Sequence, residues 1–253
     1  MKSLVSTLAA VLLIGAAHAS AGETADLKLR VEYAGKAPER VPLKPDQDPQ
    51  FCGKHNLMSE DVIVDAETKA IKNIVIYVYT GRGGTKLGKI EPSENVHELA
   101  NKNCRFEPHI VLSQAGDTLK ITNPDDVNHN CNISFFNNKP INPNIPPGQF
   151  HEEVLEKDEP APIPVACNVH PWMKAYVLVL DHPFGGVSDD GGEITIKGLP
   201  AGKDLTFRIY HETLRLKEAV SKATGDTVAF KRGRFDLKLN AGENDLGTWV
   251  LAD

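Results

Sequence analysis

The sequence CNVHPWM at residues 167–173 decides the fold, because it interrupts a region that otherwise reads as β-strand. The flanking stretches Ile163–Ala166 and Ala175–Leu180 are rich in β-branched and apolar residues, which predicts two strands joined by a tight segment. Such a connection can turn side chains three residues apart toward one point. The residues at that spacing carry a thiol, an imidazole and a thioether: Cys167, His170 and Met173.

A thiolate, an imidazole and a thioether form a soft ligand set, which favours copper over magnesium, calcium or manganese. Blue-copper electron-transfer centres add a second imidazole to this set. His129, upstream in Asn128-His129-Asn130, is the best candidate for it. Taken singly, each residue has an ordinary alternative: a buried or disulfide cysteine, a core methionine, a surface histidine. Their joint spacing predicts one copper ion bound by His129, Cys167, His170 and Met173.

The motif CNVHPWM resembles the copper loop of amicyanin-type cupredoxins, which share its C-x2-H-x2-M spacing and the proline after the histidine. Residues 116–123 (GDTLKITN), followed by His129-Asn130, are similar to the segment before the first ligand in plastocyanin- and amicyanin-like proteins. The resemblance covers residues 104–181. It implies an all-β fold, a cupredoxin Greek-key β-sandwich with one type 1 copper, and it makes the same four residues the ligands.

Two features depart from the resemblance. The chain has 253 residues, more than twice the size of a minimal cupredoxin, and Asn168 stands where a hydroxyl residue often follows the ligand cysteine. With its leader, N-terminal strands and C-terminal extension, the whole chain resembles exported proteins labelled methylamine utilization or cupredoxin-domain proteins.

Further residues of this region have predicted roles around the copper. Asn130, next to the first histidine, is expected to tie its strand to the cysteine loop through its side-chain amide. Pro171 is expected to stiffen that loop. We expect His170 to lie near the surface as the exit for the electron. Trp172 is either part of an apolar docking patch or a core residue.

Residues 1–21 form a predicted secretory leader, with Lys2, an apolar run from Leu4 to Ala17, and small-residue cleavage sites. The mature protein is therefore expected to be periplasmic or otherwise exported, with no membrane insertion after leader removal. An uncleaved anchor is the alternative. Lys and Arg total 28 against 34 Asp and Glu, a net charge of −6, which removes the electrostatic basis for binding nucleic acid.

The remaining cysteines suit an oxidising compartment. Cys52 and Cys104 are the predicted disulfide, because each lies at the end of a segment near loops. Cys131 is predicted to be a buried free thiol near the copper, and its pairing with one of the other two is the alternative. His109 is interpreted as a hydrogen-bonded strand histidine, with a second metal site as the alternative.

The domain prediction places a cupredoxin region at residues 104–182 between accessory β regions at 22–103 and 183–253. The segment DGGEITIKGLPAG at residues 190–202 resembles the carboxypeptidase-regulatory-like β-sandwich, so the two accessory regions are expected to fold together. Short helices are predicted at residues 94–101 and 212–222.

The ligand set predicts an electron carrier rather than an enzyme, because no catalytic constellation and no open metal position are evident. Its redox partners would be a protein donor and acceptor, such as a cytochrome or a dehydrogenase. Copper sequestration or delivery, and a non-redox interaction scaffold, are the alternative functions.

Overall fold

The structure is a computed structural model that describes residues 23–253, so the predicted leader at residues 1–21 lies outside the described residues. The chain is all-β, as predicted, apart from a four-residue helix α1 (Pro49–Cys52) and the 3-10 turn Gly53–His55 that follows it. Within residues 23–253, no helix is long and apolar enough to cross a membrane.

The first and last strands are the longest, with 10 and 11 residues, and they lie side by side in parallel. In chain order the strands are β1 (Thr24–Tyr33), β2 (Val75–Val78), β3 (Val96–Lys102), β4 (Arg105–Glu107), β5 (Ile110–Gln114), β6 (Thr118–Thr122), β7 (His129–Asn130), β8 (Asn132–Ile133), β9 (Asn144–Ile145), β10 (Phe150–Val154), β11 (Ile163–Ala166), β12 (Lys174–Leu180), β13 (Gly185–Val187), β14 (Glu193–Pro200), β15 (Asp204–Tyr210), β16 (Glu218–Ser221), β17 (Thr227–Ala229), β18 (Arg234–Lys238) and β19 (Gly242–Ala252).

The two ends of the chain form one β-sandwich. Its five-stranded sheet has the order β14-β1-β19-β16-β17, and its four-stranded sheet has the order β13-β2-β15-β18. Burial alternates along β1 and β14, so one face of each strand points into the core. N-terminal and C-terminal segments thus share one core, whose buried side chains include Leu27, Leu29, Ile74, Ile76, Ile194, Ile196, Phe207 and Trp249.

The middle of the chain forms a second sandwich. Its strands make the sheets β10-β6-β3-β4 and β5-β12-β11-β8 and the short pair β7-β9. Two of the pairings, β3 with β6 and β5 with β12, are parallel. The core of this sandwich contains two of the predicted copper ligands together with apolar residues: Cys167, Met173, Leu99, Phe106, Leu119, Ile121, Ile133, Val165 and Val177.

Strand β3 belongs to the second sandwich, because it hydrogen-bonds to β6 and β4. The second sandwich therefore begins before the predicted boundary at residue 104, and the other predicted boundaries remain predictions. A small apolar cluster lies where the two sandwiches meet: Val75, Tyr77, Ile110, Leu178 and Leu180.

The two predicted helices are wrong. Residues 94–101 contain strand β3, and residues 212–222 contain strand β16. In β3, Asn101 donates its side-chain N–H to the carbonyl of Thr122 across the sheet, at 2.9 Å. Strand β16 alternates buried and exposed residues and pairs with β19. In both places pairing with a distant strand overrides the local helix preference.

Candidate metal centre

Three neighbouring elements bring the candidate ligands together. His129 begins β7, Cys167 follows the last residue of β11, and His170 lies in the loop before β12. The loop is closed at its base by two backbone hydrogen bonds, from Cys167 N–H to the Met173 carbonyl and from Met173 N–H to the His170 carbonyl, at 3.4 and 2.9 Å. The short connection thus curls the loop so that its sulfur and imidazole face the strand of the first histidine.

The side chains of His129, Cys167 and His170 meet at one buried point. Their nearest ligand atoms all lie within 4.8 Å of one another. The two Nδ1 atoms of the histidines are 2.9 Å apart, and the cysteine sulfur is 3.8 Å from Nδ1 of His170. All three residues are 1 % exposed or less. A nitrogen, a nitrogen and a sulfur therefore converge in a site without water access.

Met173 is buried in the core that surrounds this point and is 1 % exposed. Its backbone forms both hydrogen bonds that close the loop. The role of its sulfur as a fourth ligand remains a prediction.

The Nε2 atom of each imidazole, which points away from the converging donors, lies within hydrogen-bond distance of a carboxylate. His129 Nε2 lies 3.0 Å from Oδ2 of Asp125, and His170 Nε2 lies 3.1 Å from Oδ2 of Asp48. A carboxylate only accepts hydrogen bonds, so both Nε2 atoms carry a proton and both Nδ1 lone pairs are available. Metal-binding histidines commonly donate their other N–H to a carboxylate, which fixes the ring.

The donor set fits a soft cation. Two Nδ1 lone pairs 2.9 Å apart repel each other unless a proton or a metal ion lies between them. Burial lowers the pKa of His129, but its hydrogen bonds to Asp125 and to the Cys167 thiolate raise that pKa above the ordinary value. Copper suits these nitrogen and sulfur donors.

The surroundings of Cys167 favour its thiolate form. Burial raises the pKa of this thiol, but hydrogen bonds from His129, from His170 and from the backbone outweigh burial and lower its pKa to about 6. The thiolate is the form of cysteine that binds metal. By contrast, burial raises the pKa of the Cys131 thiol, which is free and buried as expected from the sequence.

Asn130 connects the strand of the first histidine to the cysteine loop. Its side-chain oxygen accepts hydrogen bonds from the backbone N–H groups of Asn168 and Val169, at 2.7 and 3.3 Å. Its side-chain nitrogen donates to the side chain of Asn142. This is the contact expected from the sequence. Pro171, also assigned to the loop, is exposed.

The expectation that His170 lies near the surface is wrong. The residue is 0 % exposed, because Asp48 and the beginning of helix α1 cover its outer edge. The segment that covers it belongs to the N-terminal region, 122 residues away in sequence from the histidine.

Trp172 is half-buried and touches both the centre and the disulfide. Its ring centroid lies 5.1 Å from that of His170, and its Nε1–H donates to the carbonyl of Cys104 at 3.1 Å. It lines a cavity of about 210 Å³. The bond Cys52–Cys104, as suggested by the sequence, is present in the structure.

Among the described residues, His109 is not part of a cluster of potential metal ligands. Its Nε2 contacts Glu212 of the first sandwich, and its Nδ1 is buried without a hydrogen-bond partner among the described residues. The second group of close donors within residues 23–253 is Cys104, Asp125 and His129, in which the sulfur is already bonded in the disulfide.

Sequence reasoning missed Asp48 and Asp125. The signal for Asp125 was available, because it lies four residues before the first histidine in the same segment. Asp48 has no local signal, since only the folded chain brings it to the loop at residues 167–173.

No family model and no curated protein matches the sequence. Solved structures with similar regions include a copper-containing nitrite reductase from Thermus scotoductus SA-01, at 18% identity and TM-score 0.31, over 40% of this chain and 26% of that one. The chain thus spans about a quarter of that enzyme. A reduced single-substitution variant of amicyanin has 17% identity and TM-score 0.31, over 35% of this chain and 86% of that one. A purple cupredoxin from Nitrosopumilus maritimus has 27% identity and TM-score 0.28, over 34% of this chain and 99% of that one.

Proposed function

We propose that this chain is an exported, cupredoxin-type protein that binds one type 1 copper ion and passes single electrons between redox partner proteins. The observation that carries the proposal is the meeting of two imidazole Nδ1 atoms, 2.9 Å apart, with a cysteine sulfur beside them in a buried site. His129, Cys167 and His170 would hold the ion. Met173, buried in the same core, would supply a thioether sulfur as a fourth ligand.

Bound copper would supply the one-electron chemistry, because it alternates between Cu(II) and Cu(I). The protein's part is to keep the ligands in place, since ligand movement on each change of oxidation state slows electron transfer. Both histidine rings are held at their outer nitrogens by carboxylates. Asn130 holds the cysteine loop to the strand of the first histidine. These contacts oppose movement of any of the three ligands.

Trp172 offers the route by which an electron reaches a partner. It packs against the ring of His170 and is itself half-buried, whereas the histidine has no exposed surface. We infer that a donor or acceptor protein, such as a cytochrome or a dehydrogenase, docks beside this indole rather than on the imidazole edge.

Burial of the ligands favours a carrier over a delivery protein. A delivery protein must exchange ligands with its partner, and that requires access to the metal. Here the three converging residues and Met173 are each 1 % exposed or less. The same burial argues against catalysis at the metal, because catalytic sites keep an open position for substrate.

The test is the colour of the copper-loaded mature protein. Cu(II) bound to a cysteine thiolate gives an intense visible charge-transfer band, so the wild type is expected to be strongly coloured and Cys167→Ser colourless. Cys131→Ala, which removes the other buried free thiol, is the matched control and retains the band. A wild type that binds one copper ion without this band would refute the type 1 assignment.

Voltammetry separates the carrier from the delivery protein. A carrier gives a reversible one-electron wave and holds its copper against a mild chelator. Copper that leaves readily and shows no reversible wave would instead favour delivery.

A further inference from the structure

The aspartates whose carboxylates contact the two candidate copper histidines are each hydrogen-bonded to a segment that contains one cysteine of the same disulfide. We propose that Asp125 and Asp48 are positioning residues for the two imidazoles, and that the Cys52–Cys104 bond holds both in place, so that its reduction loosens the metal centre. This inference rests on the proposed function and adds a redox-dependent control of metal retention to it.

On one half, Asp125 is bound to the turn that contains Cys104. Its Oδ1 accepts the backbone N–H of Asn103 at 2.7 Å, and its Oδ2 accepts the backbone N–H of Cys104 at 2.8 Å. The same Oδ2 faces His129 Nε2. Asn103 and Cys104 both have a φ of 55°, in the left-handed region that residues other than glycine, asparagine and aspartate rarely adopt. The carboxylate therefore keeps its position only while this turn keeps its shape.

On the other half, Asp48 is bound to the short helix that contains Cys52. Its carbonyl accepts the backbone N–H groups of Phe51 and Cys52, each at 2.9 Å. The Asp48 side chain is 45% exposed, and the backbone of this residue has a φ of 46°. Its direction toward His170 is thus set by the backbone of a four-residue helix, which is too short to be stable alone.

The disulfide joins these two short segments across 52 residues of sequence. Both cysteines are fully buried, and with Leu57 they form a small core of their own. Trp172, which packs on His170, donates to the carbonyl of Cys104 and adds a third link from the same bond to the centre.

Reduction by a dithiol would break this connection. The S–S bond is cleaved, each cysteine sulfur gains one electron and one proton from the dithiol, and the dithiol is oxidised to its own disulfide. The turn and the helix are then no longer joined, and both imidazoles lose fixed acceptors. Loss of such partners of metal-binding histidines typically weakens metal binding about 10- to 100-fold.

The first experiment uses variants, because reductants also act on copper. Each protein is loaded with copper, and the first-order rate of copper transfer to excess chelator is measured. We expect Cys52→Ala/Cys104→Ala to lose copper about 10- to 100-fold faster than the wild type, and Asp125→Asn and Asp48→Asn about 10-fold faster. Asp126→Asn and Asp46→Asn, exposed neighbours of the two carboxylates, are the matched controls and keep the wild-type rate.

Adding Asp125→Asn to the disulfide-free variant separates positioning from a general loss of stability. Residues that act through one connection are not additive. We expect this third substitution to change the rate less than twofold, whereas independent effects would multiply. If the disulfide-free variant does not fold, the metal-free wild type is reduced with a dithiol, and loss of exchange protection at Nε2 of both histidines decides the question.

A second readout needs no copper. In ring ¹⁵N spectra of the metal-free protein, Nε2 of His129 and His170 is expected to be protonated and protected from exchange, and each aspartate variant to lose this protection at its own histidine. Unchanged spectra and copper-loss rates in both aspartate variants would overturn the inference. A wild type that takes up no copper would refute the proposed function, while the spectra would still test the positioning.

Discussion

His211 makes the stability of the protein depend on pH between neutrality and pH 5. It follows strand β15, is 6 % exposed, and its Nδ1 accepts the backbone N–H groups of Thr213 and Leu214, each at 3.2 Å. Burial lowers its pKa to about 4, helped by His109 and partly opposed by the charges of Glu212 and Asp61. The folded protein thus keeps this ring neutral well below the pH at which an unfolded chain protonates it.

The size of the effect follows from the two pKa values. As pH falls below the unfolded value of about 6.5, the unfolded chain binds a proton that the folded protein does not bind until about pH 4. Stability conferred by the neutral ring is therefore complete above pH 6.5 and is lost as the pH falls. Integrated from pH 7 to pH 5, the loss is about 2 kcal/mol.

Urea unfolding of the metal-free protein at pH 7 and pH 5 measures this loss. His211→Asn retains an acceptor near the Nδ1 position but cannot be protonated, so the variant should lose about 2 kcal/mol less than the wild type over this interval. His151→Asn is the control, because that side chain is part-exposed on strand β10 and its replacement should leave most of the pH dependence intact. Equal pH dependence in wild type and His211→Asn would refute the reasoning.

Two further predictions concern the polar contacts that support the second sandwich. Burial raises the pKa of Asp117, but hydrogen bonds from Gln114, Ser93, His97 and Asn95 lower it below the ordinary value. Asp117→Asn should cost about 1–3 kcal/mol at pH 7, and its difference from the wild type should shrink below about pH 4 in urea unfolding. Asn130→Ala leaves two backbone N–H groups of the cysteine loop without their acceptor and should cost about 1–3 kcal/mol, whereas Asn130→Asp, which keeps an acceptor, should cost less. An equal loss for both Asn130 variants in the same assay would contradict this reading.

The all-β fold could be predicted because the strands carry their own local signal. In β1, apolar residues alternate with polar ones, and the structure buries every second residue from Ala25 to Val31. The spacing of the cysteine loop was equally local, since seven consecutive residues bring a sulfur and an imidazole together. Strand β3 carried no such signal, because its conformation is set by pairing with β6 in a different part of the sequence.

The carboxylate partner of His170 could not be predicted for the same reason. Asp48 and His170 are 122 residues apart, and their contact depends on the disulfide, the helix and the loop all reaching their places. The burial of His170 follows from that contact, so the expected surface exit could not be corrected from the loop sequence alone. The exposure of His170 depends on the segment that contains Asp48, which lies outside the motif at residues 167–173.

The extra length of the chain therefore bears on the metal centre itself. Asp48, Cys52 and strand β3 all precede residue 104, where the resemblance to amicyanin-type proteins begins. Strand β3 lies between β6 and β4 in one sheet of the second sandwich. The segment that contains Asp48 covers the outer edge of the His170 ring. A fragment limited to residues 104–181 would keep the predicted copper ligands but lose one positioning carboxylate, one half of the disulfide and one strand of the sheet. The N-terminal region is thus a structural part of the centre as well as part of the first sandwich.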